Sequence, residues 1–232
     1  MNYIYSIIPT LIIAIIIYNL DKHKEPIKIL LKLFIGGIIA TLLVLIIVLG
    51  LNYIIPEIAI IDGSLPTIKL FINILITIGI TEELSKWIIT YFLSYNNKEF
   101  DEIYDIIVYS VFVSLGFATL ENILYVTESA YAINIAIVRG VLSIPAHTAL
   151  GVIMGSFLGL AKIADINNNS YEKKQNILYS ILIPIELHTI YDLCSISKNI
   201  YLTYFFYIFV ILLFIFTIVI IKQFLNKNVK IK

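Results

Sequence analysis

Apolar residues recur along this chain in long unbroken runs, separated by short polar clusters, without the strict alternation of a half-buried strand. A helix needs about 20 apolar residues to cross a hydrocarbon core about 30 Å thick. Seven such runs can be delimited, at 3–20, 29–51, 67–94, 104–127, 135–161, 176–196 and 200–222. The pattern predicts an all-α fold, a polytopic transmembrane helical bundle of about seven spans. No basic residue precedes the first run and no small-residue cleavage site follows it, so it reads as a retained helix and not a secretory signal. The longest connections, around 52–66 and 163–175, are too short to hold a core of their own. Residues 1–232 therefore read as a single multi-pass domain of the cell membrane.

Composition sharpens this. Hydrophobic residues make up 60% of the chain and charged residues 14%, and the mean hydropathy is +0.96, far from a soluble domain of this length. The formal net charge is zero, and no charged tail suggests nucleic acid as a partner. Placement of the positive charges carries more information than their sum. Lys22, Lys24, Lys28, Lys32, Lys98, Lys162, Lys173, Lys174, Lys222, Lys227, Lys230 and Lys232 fall in alternate connections, and only Lys69, Arg139 and Lys198 fall in the others. Cytoplasmic connections carry the excess of Lys and Arg, which predicts the N-terminus outside and the C-terminus in the cytosol. The single cysteine, Cys194, excludes an intrachain disulfide. Gly151, Gly155 and Gly159, four apart on the fifth run, suit close packing of two helices.

An ionisable group at bilayer depth costs about 2.5 kcal/mol or more and is by default a candidate for function. Here such groups are concentrated. Glu82, Glu83, Lys86, Glu121, Asn122, His147, Glu186, His188 and Asp192 all lie on the third to sixth runs, while the first, second and seventh hold no acid and no histidine. Helical spacing places Lys86 within reach of both glutamates, at i+4 from Glu82 and i+3 from Glu83, while the two glutamates point about 100° apart. One can face a cavity while the other pairs with Lys86. Asp192, four residues after His188, can orient its imidazole. Pro145 loosens the fifth run just before His147. Glu186 fits no motif and reads as a residue that supports the site from behind or serves packing.

No Gly-x-Ser-x-Gly and no His-Glu-x-x-His occurs, which weakens serine-hydrolase and metzincin-like readings. A carboxylate beside histidines suits activation of water, with the Glu as general base and imidazoles donating to the oxyanion. The same donors could hold zinc. Residue types alone leave both open. Burial penalises an ionised carboxylate, and Lys86 one turn away offsets that penalty.

The ordered set Glu82-Glu83-x-x-Lys86, Phe117-x-x-x-Glu121-Asn122, His147 and His188-x-x-x-Asp192, with Asp21 to Pro26 (DKHKEP) after the first run, resembles the PrsW family of membrane-embedded glutamic-type proteases. The wider superfamily, including CAAX prenyl endopeptidases, usually shows Glu-Glu-x-x-x-Arg and Phe-x-x-x-His; Lys86 and Glu121 depart from both. The resemblance implies an intramembrane protease with a core at about 67–196, in which Glu82 or Glu83 is the base, Glu121 and His147 line the site, and His188 with Asp192 completes it, supported by Lys86 and Asn122. It also implies a single-pass membrane substrate such as an anti-sigma factor, cut on its outer side to start regulated intramembrane proteolysis. No cofactor is expected, because Lys86 opposes a cation; a zinc site, if present, would use Glu121, His147 and His188. Counting about 1.5 Å per residue puts Glu121, His147 and His188 roughly 9 to 17 Å below the outer ends of their spans and the glutamate pair roughly 24 Å below. A bent or re-entrant start at Ser64-Leu65-Pro66-Thr67 would reconcile these depths. The rivals are a CAAX-type endopeptidase, a catalytically dead scaffold and a proton-coupled transporter; the last lacks paired Gly/Pro-interrupted helices in two halves.

Overall fold

The computed structural model describes residues 3–127, 131–227 and 230–231, and helices account for the seven apolar runs. They are α1 (Tyr3–Leu20), α2 (Ile27–Ile54), α3 (Thr67–Ile74), which continues through a π-helical turn (Leu75–Ile80) into α4 (Thr81–Ser94), α5 (Asp105–Thr127), α6 (Ala132–Val141), α7 (Ser143–Ile166), α8 (Ser170–Ile196) and α9 (Ile200–Lys227). No strand forms among the described residues. Five helical stretches are long and apolar enough to cross a membrane: α2, α5, α6 with α7, α8 and α9; Ile4–Leu20 is a shorter apolar helix. The chain is a multi-pass membrane protein.

Its centre is the pair α5 and α7. Almost every residue of α5 from Asp105 to Thr119 is buried, as are Ala149 to Ser156 of α7. Around them stand α1, α2 and α4 on one side and α8 and α9 on the other. Small residues make the approach close. A Cβ on Gly37 of α2 would lie 2.0 Å from the Val113 carbonyl oxygen, and one on Gly116 of α5 would lie 1.9 Å from that of Phe34; only glycine fits where backbones pack this tightly. Gly151 and Gly155 likewise face α5. By contrast, α2 and α9 turn large apolar side chains outward, Leu49 and Ile215 among them, as lipid-facing helices do.

Two interruptions matter for function. Pro145 clashes with the carbonyl four residues back, which is that of Val141, and α6 ends there; α7 restarts at Ser143, where proline in the first turn sacrifices no hydrogen bond. The second is the π turn before Glu82. Its loosened backbone is lined by hydroxyls: Thr77 donates to the Asn73 carbonyl, Thr81 to that of Thr77 and Ser85 to that of Thr81, each at 2.6 Å. A turn over Asp62–Leu65 leads through Pro66 straight into regular helix. A Cβ on Gly79 would lie 2.3 Å from Thr189 Oγ1, so α8 nearly touches the π turn one residue beyond His188, and the glutamate pair follows immediately.

Candidate active site

Four elements deliver the polar groups to one place. α4 supplies Glu82, Glu83 and Lys86, α5 supplies Glu121 and Asn122, α7 supplies His147, and α8 supplies His188 and Asp192. Lys86 is fully buried. Its ammonium lies 2.6 Å from Glu83 Oε1, 3.8 Å from Glu82 Oε2 and 3.2 Å from His147 Nδ1, and 4.4 Å from the centre of the Phe117 ring. An ammonium only donates, so His147 Nδ1 accepts and its Nε2–H faces Glu121 Oε2 at 2.9 Å. Glu83 Oε1 also receives His188 Nδ1 at 2.7 Å. The two imidazoles stand edge to face, with centroids 5.2 Å apart.

The two glutamates are not equivalent. Glu83 is wholly enclosed and holds Lys86 and His188 together. The Glu82 side chain remains slightly exposed and lines a cavity of about 840 Å³ shared with Glu121, Arg139, His147, His188 and Asp192, a volume within the range of ligand sites. Glu82 Oε2, like Glu83 Oε2, is buried without a hydrogen-bond partner; it lies 4.0 Å from His188 Nε2. The cavity extends along Val44 and Val48 of α2 to Ala59 and Ile61 beyond its end.

Every residue expected at the site is therefore placed there, with changed partnerships. His188 Nδ1 is met by Glu83, and Asp192 stands 3.4 Å from Nε2 on the cavity side, so the closer orienting group is the glutamate. Glu186 is exposed on α8 and takes no part. The donors that converge most closely are Glu82, His147 and His188, with one atom each within 4.8 Å of one another; Glu121 instead pairs with His147 and Arg139. Arg139, a connection charge by its place in the sequence, also belongs to the site. It forms an ion pair with Glu121 Oε2 at 2.7 Å, donates from Nε to Asn122 Oδ1 at 3.0 Å and covers the Tyr125 ring at 3.9 Å. Its signal was available: it is the sole arginine of the chain, eight residues before His147. Asn122 in turn donates to the Ser6 carbonyl of α1, tying the first helix to the site.

Carboxylates, imidazoles and two cations around a cavity inside a helical membrane bundle define the class: a membrane-embedded hydrolytic centre. The family model described as "PrsW family intramembrane metalloprotease" matches residues 25–220, and the chain belongs to that family. It is 35% identical to Protease PrsW of Oceanobacillus iheyensis over 187 residues, 81% of this chain and 79% of the relative. It is 33% identical to Protease PrsW of Bacillus subtilis over 199 residues, 84% of each chain, and 29% identical to that of Clostridioides difficile over 232 residues, 99% and 93% of the two. No solved structure matches. The chain is an intramembrane protease acting on membrane-embedded substrates.

Proposed function

We propose that this protease cleaves a single-pass membrane protein of the anti-sigma-factor kind, on the outer side of the membrane, with water activated by Glu82. The observation that carries the reading is that Glu82, and not Glu83, lines the cavity, 4.0 Å from His188 Nε2, while Glu83 Oε1 is committed to Lys86 and His188. Glu82 takes a proton from the attacking water, and the same proton passes to the leaving amine nitrogen as the peptide bond breaks. The Nε2–H of His147 is aimed at the cavity wall and can donate to the developing oxyanion in place of Glu121. Arg139 balances the charge of Glu121 so that two carboxylates can share the cavity. The positive charges support an outer side for the ends of α2, α5 and α8, and Glu121 and His188 lie about 9 and 12 Å from the ends of α5 and α8 at 1.5 Å per residue.

A second reading rests on the family description and on the convergence of Glu82, His147 and His188. These residues fit a metal ion: Glu82 Oε2 has no partner, and His188 gives its other nitrogen to a carboxylate, as metal-bound histidines do. His147 would exchange Glu121 for the ion. A metal held there would lower the pKa of a bound water and polarise the scissile carbonyl. Two measurements divide the readings. With a co-expressed anti-sigma substrate, Glu82→Gln is expected to lower cleavage by about 10² to 10⁴ in either case. Activity of purified protein that survives chelation, with no stoichiometric zinc by elemental analysis, supports the metal-free mechanism; activity lost and restored in step with zinc overturns it. Near wild-type cleavage by both Glu82→Gln and Glu83→Gln, in folded protein, would refute the protease mechanism altogether.

A further inference from the structure

A second polar centre lies at the other end of the bundle, where the α1–α2 connection meets the start of α5. Asp21, Glu25 and Asp105 each bring a carboxylate oxygen within 4.8 Å of the others, and all three are buried. Each satisfies one oxygen with a neutral donor. Asp21 Oδ1 accepts from the His23 backbone N–H, Asp105 Oδ2 accepts from the N–H groups of Asp101 and Glu102, and Glu25 Oε2 accepts from the Tyr109 hydroxyl. Asp21 Oδ2 and Asp105 Oδ1 are buried and have no partner. Among the described residues no Lys or Arg side chain pairs with any of the three. The ammonium of Lys24 instead donates to the carbonyls of Tyr18 and Asp21, and His23 goes to Glu102 at 2.6 Å.

A separate observation points to a ligand. The hydroxyl of Tyr104, 3% exposed, also lacks a partner and lines a small cavity of about 10 Å³ together with Asp21, Lys22 and Glu102, room for one water-sized species. Buried polar atoms left unmatched are costly; Asp21 and Tyr104, each with one such atom, share this space, and Asp105 of the same carboxylate cluster carries a third. The charge is as poorly matched as the hydrogen bonds. Burial pushes the Glu25 carboxyl up to about 7 even though the Tyr109 hydroxyl opposes it, and burial likewise raises Asp21.

We propose that Asp21, Glu25 and Asp105, with the Tyr104 hydroxyl on the Asp21 side, form a binding site for a hard divalent cation of the magnesium and calcium class. Carboxylate and hydroxyl oxygens without nitrogen or sulfur select such ions, and separations under 4.8 Å suit a shared ion at metal–oxygen distances of about 2.1 to 2.6 Å. The donor chemistry distinguishes it from the Glu-His-His set at the active site. Bound there, the ion pins the α1–α2 connection to the N-terminus of α5, the helix that carries Glu121.

The test uses the full chain in detergent after chelation, in the Glu82→Gln background so that the active-site donors are disabled. Thermal unfolding is followed while Ca²⁺ or Mg²⁺ is added. A saturable rise in Tm is expected, as for any ligand that binds only the folded state. Asp105→Asn, which keeps the acceptor for the two backbone N–H groups, and Asp21→Asn should each weaken the half-saturating concentration by about tenfold or more, because affinity follows ligand charge. No saturable response to either ion, or an unchanged one in both variants, overturns the site. If neither variant accumulates, equilibrium dialysis of the Glu82→Gln protein with Ca²⁺ decides: one ion per chain supports the site, and none sinks it.

Discussion

Replacing each glutamate of the pair by glutamine should separate chemistry from stability. Glu83 and Lys86 form a fully enclosed ion pair at 2.6 Å, and Glu83 also holds His188. Breaking a buried pair by neutralising one partner costs about 3 to 5 kcal/mol, because the other charge is left uncompensated. The nearest remaining carboxylate to the Lys86 ammonium is then Glu82, at 3.8 Å. Glu83→Gln should therefore lower stability by about 3 kcal/mol or more, and Lys86→Met, which removes the cation and leaves a buried anion, should cost a similar amount. Glu82→Gln removes a group with no hydrogen bond to its Oε2 and 3.8 Å from Lys86, against 2.6 Å for Glu83, so it should cost less stability than Glu83→Gln. Cleavage should respond in the opposite order, falling by about 10² or more in Glu82→Gln. Reversible unfolding in mixed micelles gives the first quantity, and cleavage of the co-expressed substrate, normalised to folded enzyme, gives the second. A Glu82→Gln protein less stable than Glu83→Gln, or Glu83→Gln protein as stable as the wild type, would show that the pair has been assigned the wrong way round.

Topology is open to a direct check: a cysteine at Asn167, exposed in the α7–α8 connection, should resist an impermeant thiol reagent in intact cells and react once they are opened; labelling in intact cells contradicts the N-out, C-in arrangement. The crossing of α2 and α5 should tolerate no side chain at Gly116, where a Cβ would meet the Phe34 carbonyl at 1.9 Å; Gly116→Ala is expected to cost about 3 kcal/mol or more, while Gly50→Ala, with nothing within 4 Å, should be neutral or stabilising by up to about 1 kcal/mol. Equal accumulation of the two variants would contradict this packing. Arg139→Gln leaves Glu121 without its guanidinium and should reduce cleavage about tenfold or more, equivalent to about 1.4 kcal/mol of barrier, with Arg139→Lys recovering part of the loss; activity unaffected by Arg139→Gln would remove Arg139 from the site.

Much of this molecule is legible in its sequence because the bilayer imposes a coarse rule. Helices must satisfy their own backbone, so apolar runs of sufficient length announce them, and the seven runs reappear as helical stretches with ends moved by a few residues. Ionisable groups inside those runs announce the site, since nothing else explains Lys86 or Glu121 at that depth. Partnerships are harder to read. Periodicity within α4 shows that Lys86 reaches both glutamates, but which glutamate faces α8 depends on the rotation of the helix, and that is set by tertiary contacts. Asp192 at i+4 is the obvious partner for His188 within one helix; Glu83, 105 residues away in sequence, is nearer in space. Arg139 is hidden because its place at the margin of a run reads as a connection charge, and only the packing of α6 against α5 brings it to Glu121. The Asp21, Glu25 and Asp105 cluster is hidden along the chain because α2, α3 and α4 lie between Glu25 and Asp105.

The π turn at Leu75–Ile80 makes the assignment of the catalytic glutamate a question of phase. A π turn is equivalent to one residue inserted into an α-helix, and each residue advances the helix by about 100°. Glu82 and Glu83 are adjacent and separated by that same angle. Deleting one residue from 75–80 and restoring α-helical winding would turn α4 by one position relative to α3, presenting to the cavity the neighbour of the residue that faces it now. Two glutamates in succession thus give the helix a tolerance to slippage that a single one would lack: whichever way the turn is wound, a carboxylate can still point toward His188, and the difference lies in whether Lys86 has been left behind to hold its companion.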